Sequence, residues 1–314
     1  MLFDRAPQSV DCAASIAILE FDVKPAPFVL HRPTTLDAAT RLLADFAADD
    51  ARVIAGGQSL APMMAFRLAR PKHLVDINGV ACLAGVRAED ENIVIGALAR
   101  HEDFRRNPPP GATGALLASI APHIAHRPIR SRGTFCGSIA HADPASEWCL
   151  AAATLDAVMV AVSARGRREI PAREWFAGAM TTALGPAEIL ESVRLPRLPG
   201  ATRFAFHEFA RRAGDFALAM ALVVFELDGG RLRRVRLGVG GAEDRPRRIS
   251  AAEALLEGEA PSEALFARAA SAAAHALDPM QDQSTTAEYR RDLAAALDRK
   301  STRLNSSHVA LSRM

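Results

Sequence analysis

Two glycine-rich stretches, about eighty residues apart, hold the residue types best suited to chemistry in this sequence. The first, Arg52-Val53-Ile54-Ala55-Gly56-Gly57-Gln58-Ser59-Leu60, is an apolar, strand-like run that breaks into small residues and restarts as a helix-like one. Glycine lacks Cβ, so Gly56 and Gly57 can take positive φ and let successive backbone N–H groups surround an anionic oxygen. A helix over Leu60 to Leu68 would aim its N-terminal dipole at the same anion. The Walker lysine and the Gly-x-Gly-x-x-Gly fingerprint are both missing, and on residue types alone an ordinary tight loop is an equal alternative. The second stretch runs Arg132-Gly133-Thr134-Phe135-Cys136-Gly137-Ser138-Ile139-Ala140-His141-Ala142-Asp143-Pro144-Ala145-Ser146-Glu147. Two such loops can hold the two ends of one diphosphate ligand.

Taken together, Ala-Gly-Gly-Gln-Ser-Leu and Arg-Gly-Thr-x-x-Gly-Ser-Ile-Ala-His-Ala-Asp-Pro-Ala-Ser-Glu resemble the FAD-binding (medium) subunit of the molybdenum hydroxylases, of carbon monoxide dehydrogenase and xanthine dehydrogenase type. A third element, Phe206-His207-Glu208-Phe209-Ala210-Arg211-Arg212-Ala213-Gly214-Asp215-Phe216-Ala217, fits the same family in order, and the similarity runs from about Lys24 to about Arg299. The resemblance implies an α+β fold. A two-part FAD-binding domain, of the superfamily shared with vanillyl-alcohol oxidase-type flavoproteins, is expected over residues 24–198. A small α+β domain, a sheet covered by helices on one side, is expected over 199–299.

The resemblance also implies non-covalent FAD. It places the amides of Ala55, Gly56, Gly57, Gln58 and Ser59, with Leu60 beside them, on the pyrophosphate, and gives Gln58 and Ser59 side-chain donor roles. Thr134, Gly137 and Ser138 are expected on the same group from the opposite side. Cys136 stands where glycine is commoner in the family, which weakens the expectation that its amide touches phosphate. Glu147 aligns with an acidic residue that accepts hydrogen bonds from the ribityl chain, which suits a carboxylate because it offers only acceptors. Leu190 matches a position that contacts FAD, although a core strand leucine is an equal reading. Arg212 and Asp215 belong to a turn whose family counterpart lies near the flavin ring, where a cation would stabilise the reduced, anionic flavin. An ordinary solvated charged turn is the alternative.

Side chains alone offer no catalytic set: there is no Gly-x-Ser-x-Gly elbow, no His-Glu-x-x-His and no catalytic cysteine signature, so the cofactor must be the reactive part. His141, Asp143 and Glu147 fit no metal template, and Pro144 interrupts any helix through them; Asp143 reads equally as an Asx turn or helix cap. The resemblance puts molybdopterin on a large partner subunit and [2Fe–2S] centres on a small one, in a dimer of heterotrimers. Electrons would reach FAD here and leave to NAD, oxygen or another acceptor. A self-sufficient flavin oxidase or dehydrogenase is the enzymatic alternative, although the first loop offers no flavin-linking His or Cys; a flavin-free scaffold is the third reading.

Composition agrees with a soluble cytoplasmic protein. The 314 residues allow two domains, 49% are hydrophobic and 24% charged, and the formal charge of +2 gives no electrostatic case for nucleic acid. No apolar run reaches membrane-spanning length and no secretion signal is read at the N-terminus. The four cysteines, Cys12, Cys82, Cys136 and Cys149, lack any Cys-x-x-Cys spacing and read as separate thiols in a reducing compartment. Residues 1–23 precede the resemblance and are expected to be an extension or a start called too far upstream. Residues 300–314 are expected to be a non-native tail, with the native final helix continuing past Arg299.

Among the elements, a Thr35 cap should start a helix at Leu36, with apolar positions at Leu36, Ala39, Leu42, Leu43 and Phe46. Val53-Ile54 and His73 to Ile77 read as strands around the first loop, and Leu83 to Val86 with Ile93 to Ala97 as a hairpin. Helices are expected at Ala112 to Ile124 and Trp148 to Leu155, and strands at Val158 to Val162 and Ile189 to Leu195. Pro196, Pro199 and Gly200 mark the domain boundary. Beyond them, Phe216 to Leu227 and Arg231 to Val239 form a hairpin, followed by helices at Ser250 to Leu256, Ser262 to Ala276 and Thr286 to Leu297.

Overall fold

The computed structural model describes residues 25–283 and 285–297; the expected extension, the tail and any helix past Arg299 lie outside this range. The first lobe comprises β1 (Val29–His31), α1 (Leu36–Asp45), β2 (Ala51–Ile54), α2 (Leu60–Ala65) and β3 (His73–Asp76). Its three strands form a parallel sheet in the order β1-β3-β2. Thr35 caps α1 as expected, accepting from Ala38 N, and Ala39 and Leu43 are buried. Because β2 and α2 flank the first glycine stretch, strand and helix fix both ends of that loop. Helix α2 stops at Ala65 rather than Leu68, and the chain turns through Arg67 at φ 55.

The second lobe begins with the hairpin β4 (Val86–Glu89) and β5 (Asn92–Gly96). Its turn is tighter than the sequence suggested, and Leu83 sits in a 3₁₀ turn before it. Then come α3 (His101–Arg106), α4 (Gly111–Ile120), α5 (Arg127–Arg130), α6 (Phe135–His141) and α7 (Glu147–Thr154). Strands β6 (Val158–Ser163) and β7 (Gly166–Pro171), helix α8 (Ala172–Trp175), strands β8 (Phe176–Gly178) and β9 (Thr181–Thr182), and β10 (Ile189–Pro196) complete the lobe. Its sheet runs β4-β5-β10-β6-β7, all antiparallel. Trp148, Phe104 and Phe135 pack together beneath it, with ring centroids 4.9 to 5.5 Å apart.

The remaining segment holds β11 (Arg203–Phe209), β12 (Ala219–Asp228), β13 (Arg231–Gly240) and β14 (Arg247–Arg248) in one antiparallel sheet, with α9 (Ser250–Leu256), α10 (Glu263–Ala276) and α11 (287–297). The domain's own helices α9 and α10 cover one face of this sheet as expected, and its other face packs against the second lobe. Along β12, Ala219, Ala221, Val223 and Phe225 enter a core with α9 and α10, whereas Met220, Leu222 and Val224 enter the core of the second lobe. The alternation follows from the two-residue period of a strand. Gly238 and Gly240 on β13 let α7 approach that second face closely: a Cβ on Gly238 would lie 2.0 Å from Thr154 Oγ1.

Candidate functional site

The first loop is held by its backbone. Gly57 has φ +70, a left-handed conformation that glycine accepts without strain. Gly56 is small for a different reason: a Cβ there would meet Arg132 O at 2.4 Å and Gly133 Cα at 2.7 Å, so the two glycine stretches touch backbone to backbone. Among the described residues, the amides of Gly56, Gly57, Gln58 and Ser59 donate to no protein acceptor. Four consecutive open amides are costly unless a ligand or water accepts from them. The Gln58 side chain donates one hydrogen of Nε2 back to Gly56 O at 3.1 Å, which stiffens the turn and leaves the second hydrogen available.

The second stretch is the start of a helix rather than a free loop. Thr134 is the N-cap of α6, its Oγ1 accepting from Gly137 N at 3.0 Å, which occupies the Gly137 amide and leaves the Thr134 hydroxyl hydrogen to donate. The strand-like pairing of Arg100 with Thr134 is supported by bonds from His101 N to Gly133 O and from Phe135 N to Ala99 O. This leaves the Cys136 amide without a protein acceptor among the described residues. Its thiol points the other way, to Ile95 O at 3.4 Å, and burial pushes it far above the ordinary thiol range. A cysteine here is therefore compatible with an open amide, because the sulfur belongs to the core.

Between the stretches lies a cavity of about 460 Å³ lined by Ala55, Gly56, Gly57, Gln58, Ser59, Leu60, Thr134, Cys136, Gly137, Ser138 and Leu190, among others. A second cavity of about 470 Å³ shares Ala55, Gly56, Gly57 and Gln58 and adds Asn78, Arg100 and Arg132. Eleven of the fourteen residues singled out from the sequence thus meet in one place.

A family described as the FAD binding domain in molybdopterin dehydrogenase matches residues 22–198, and the CO dehydrogenase flavoprotein C-terminal domain matches residues 204–303. The chain belongs to the FAD-binding medium subunits of the molybdenum hydroxylases. It is 40% identical over 287 residues to the 6-hydroxypseudooxynicotine dehydrogenase complex subunit alpha of Paenarthrobacter nicotinovorans, covering 88% of this chain and 97% of that relative. The carbon monoxide dehydrogenase medium chain of Hydrogenophaga pseudoflava is 33% identical over 273 residues, covering 87% and 95%. The crystal structure of quinoline 2-oxidoreductase from Pseudomonas putida 86 matches with a TM-score of 0.86 and 34% identity, over 91% of this chain and 99% of that one. The protein is thus an oxidoreductase subunit, and FAD is its cofactor.

The open amides and the two glycines fit the diphosphate of that cofactor. Glu147, Arg212 and Asp215 do not line the cavity. Arg212 and Asp215 are exposed, and their turn rests on His126: a Cβ on Gly214, at φ +84, would meet the His126 ring at 2.5 Å. His126 caps α5, which feeds the second stretch, so the turn bears on the site through that helix. Glu147 is the first residue of α7 after the Ser146 cap and is half-buried. Burial, with Glu208 and Asp143 nearby, pushes its carboxyl up to about 8. That shift favours the protonated acid over the acceptor-only carboxylate that the resemblance implies. Asp143 forms the Asx turn anticipated beside Pro144, accepting from Ala145 N at 2.8 Å.

The sign of this shift makes a prediction. From the ordinary value of 4.5 up to about 8, the folded chain keeps a proton at Glu147 that the unfolded chain has lost, so stability falls as pH rises across that window. In flavin-free Glu147→Gln, thermal melts should show an advantage over the unaltered chain that grows from about pH 5 to about pH 8. A parallel pH dependence in the two proteins would mean that the carboxyl titrates normally.

Two residues that carry no motif hold the stretches in register. Asn78 Nδ2 donates to Ala55 O at 2.7 Å, and Arg100 donates both to Asn78 Oδ1 at 2.6 Å and to Arg132 O. One guanidinium and one amide thereby tie the carbonyl preceding the first loop to the carbonyl preceding the second. A third missed residue, His101, lines the cavity. Among the described residues, no cluster of three or more His, Cys, Asp or Glu could hold a metal, and no helix is long and apolar enough to cross a membrane.

Proposed function

We propose that this chain is the FAD-carrying electron-transfer subunit of a cytoplasmic molybdenum hydroxylase. FAD held here would supply the redox chemistry, taking electrons from [2Fe–2S] centres of a small partner subunit and passing them to NAD, oxygen or another acceptor. Molybdopterin would reside on a large subunit, with the whole assembled as a dimer of heterotrimers. The FAD-binding domain is assigned to 24–198 and the C-terminal flavoprotein domain to 199–299.

The observation that carries this reading is the run of four open amides from Gly56 to Ser59, opposite the open Cys136 amide at the start of α6. Preorganised N–H groups bind a diphosphate without reorganising, and the Asn78–Arg100 tie keeps the two rows of donors at a fixed separation. Thr134, Gly137 and Ser138 shape the far wall. Leu60 and Leu190 supply apolar surface that excludes water, as a pocket for a large ligand requires. Cavities on both sides of the first loop leave room for the two ring systems of a dinucleotide. Glu147, Arg212 and Asp215 are assigned to the outer margin, toward the ribityl chain and the flavin ring.

The test is the absorption spectrum of the purified full chain before and after acid precipitation. A flavin spectrum that passes entirely into the supernatant is expected. A colourless protein that FAD does not reconstitute would overturn the reading, and yellow colour retained in the pellet would show covalent attachment.

A further inference from the structure

We propose that His101 is a ligand contact, a neutral imidazole whose Nε2–H donates to a phosphate oxygen of the diphosphate between the two glycine stretches. The inference rests on the FAD reading above and adds a residue, a tautomer and an atom to it.

The tautomer follows from a neighbour. Trp148 Nε1 lies 2.9 Å from His101 Nδ1. An indole nitrogen can only donate, so Nδ1 must present its lone pair and, in a neutral ring, the hydrogen sits on Nε2. The ring is neutral because it is buried, at 4% exposure, and because the Arg100 and Arg130 cations are close; together these hold its pKa down to about 3. Trp148 is fully buried and wedged against Phe104 and Phe135, so the orientation it imposes is rigid.

The position of Nε2 follows from a glycine. A Cβ on Gly133 would lie 2.5 Å from His101 Nε2 and 2.7 Å from Cδ2, so that edge of the ring lies directly beneath the second stretch. The backbone holds it there as well, through His101 N to Gly133 O at 3.0 Å. Among the described residues, Nε2 has no protein acceptor, and it is absent from the buried polar atoms that lack both a partner and an opening. The residue lines the same cavity as Gly56, Gly57, Gly133 and Thr134. A donor locked in one tautomer, nine-tenths buried and lining the same cavity as the open amides, suits an anionic oxygen. As a neutral group it adds a hydrogen bond there without adding charge.

The experiment titrates flavin-free full chain with FAD, with ADP, which has the diphosphate but no flavin, and with riboflavin, which has no phosphate. Unaltered chain, His101→Gln and His101→Leu are compared, with circular dichroism to confirm folding. A hydrogen bond to a charged group is worth about 1.5–3 kcal/mol, so His101→Leu should bind FAD and ADP roughly 10- to 150-fold more weakly, with riboflavin affinity unchanged. His101→Gln, which keeps a neutral donor, should lose less. In ¹⁵N NMR of the unaltered chain, His101 should show the Nε2–H tautomer, and that resonance should shift on saturation with ADP. This arm stays decisive if the leucine variant does not fold. Unaltered ADP affinity in folded His101→Leu, an Nδ1–H tautomer, or an Nε2 resonance unmoved by ADP each overturns the His101 contact and leaves FAD binding standing. Failure of the unaltered chain to bind FAD overturns the proposed function and this contact with it.

Discussion

Gly56→Val should give a folded chain that purifies without flavin. The new side chain would start 2.4 Å from Arg132 O and 2.7 Å from Gly133 Cα, and both obstacles are backbone, so the two stretches must move apart. Gly57→Val should reach the same end by another route. There the added Cβ would meet only the tip of Ile54 at 3.3 Å, but φ +70 is a genuine outlier for a β-branched residue. The turn would flip, and the row of amides would no longer converge. Losing two charge-assisted hydrogen bonds at about 1.5–3 kcal/mol each removes about 3–6 kcal/mol, or roughly 10²- to 10⁴-fold in affinity. Gly200→Val is the control, because nothing lies within 4 Å of its Cβ position and its φ is ordinary. Flavin titration of all three, with circular dichroism, distinguishes the cases. Wild-type flavin content in a folded Gly56→Val protein would show that the contact between the stretches is not what shapes the cradle.

The different reasons for these two glycines mark the limit of what could be read from the chain. A positive φ at Gly57 was foreseeable, because a strand that restarts as a helix must turn and glycine is the residue that turns it. The clash at Gly56 was not, since its obstacle is Arg132, 76 positions away. Local signals performed well: the Thr35 cap, the Gly229-Gly230 hairpin turn and the starts of α9 and α10 all lie where short-range chemistry puts them. The second stretch reads as a loop in sequence because its small residues mask the Thr-x-x-Gly cap of a helix. The Gly137 amide is therefore spent on the Thr134 Oγ1 cap, while the Thr134 hydroxyl keeps its own hydrogen. Asn78, Arg100 and His101 were invisible as isolated polar residues, and acquire meaning only when β3, α3 and the second stretch are brought together. The unbroken apolar run Ala219-Met220-Ala221-Leu222-Val223-Val224-Phe225 is the pattern of a strand buried on both faces, whereas a sheet covered on one side should alternate.

That doubly buried strand leads to the second large effect, at Gly238. Its Cβ position lies 2.0 Å from Thr154 Oγ1 and 2.9 Å from Leu150 Cδ1, both on α7. Thr154 cannot easily turn aside, because it is fully buried and its hydroxyl already donates to Leu150 O at 2.8 Å. Gly238→Val must therefore push β13 away from α7 and open the seam between the C-terminal sheet and the second lobe. Overpacking a filled core costs about 1–3 kcal/mol, and a displaced helix places the expected loss at the upper end. At about 2–4 °C per kcal/mol for a chain of this size class, Tm should fall on the order of 6–12 °C. Since Phe206, Met220, Leu222 and Val224 belong to the same core as Trp148 and Leu150, both parts of the chain should melt together in one lowered transition. Differential scanning calorimetry decides this. Two separated transitions, with only one of them displaced, would mean that the sheet and the FAD-binding part unfold independently. The same helix begins at Glu147 and holds Trp148 against His101, so flavin affinity in Gly238→Val should fall along with Tm even though no cradle residue has changed.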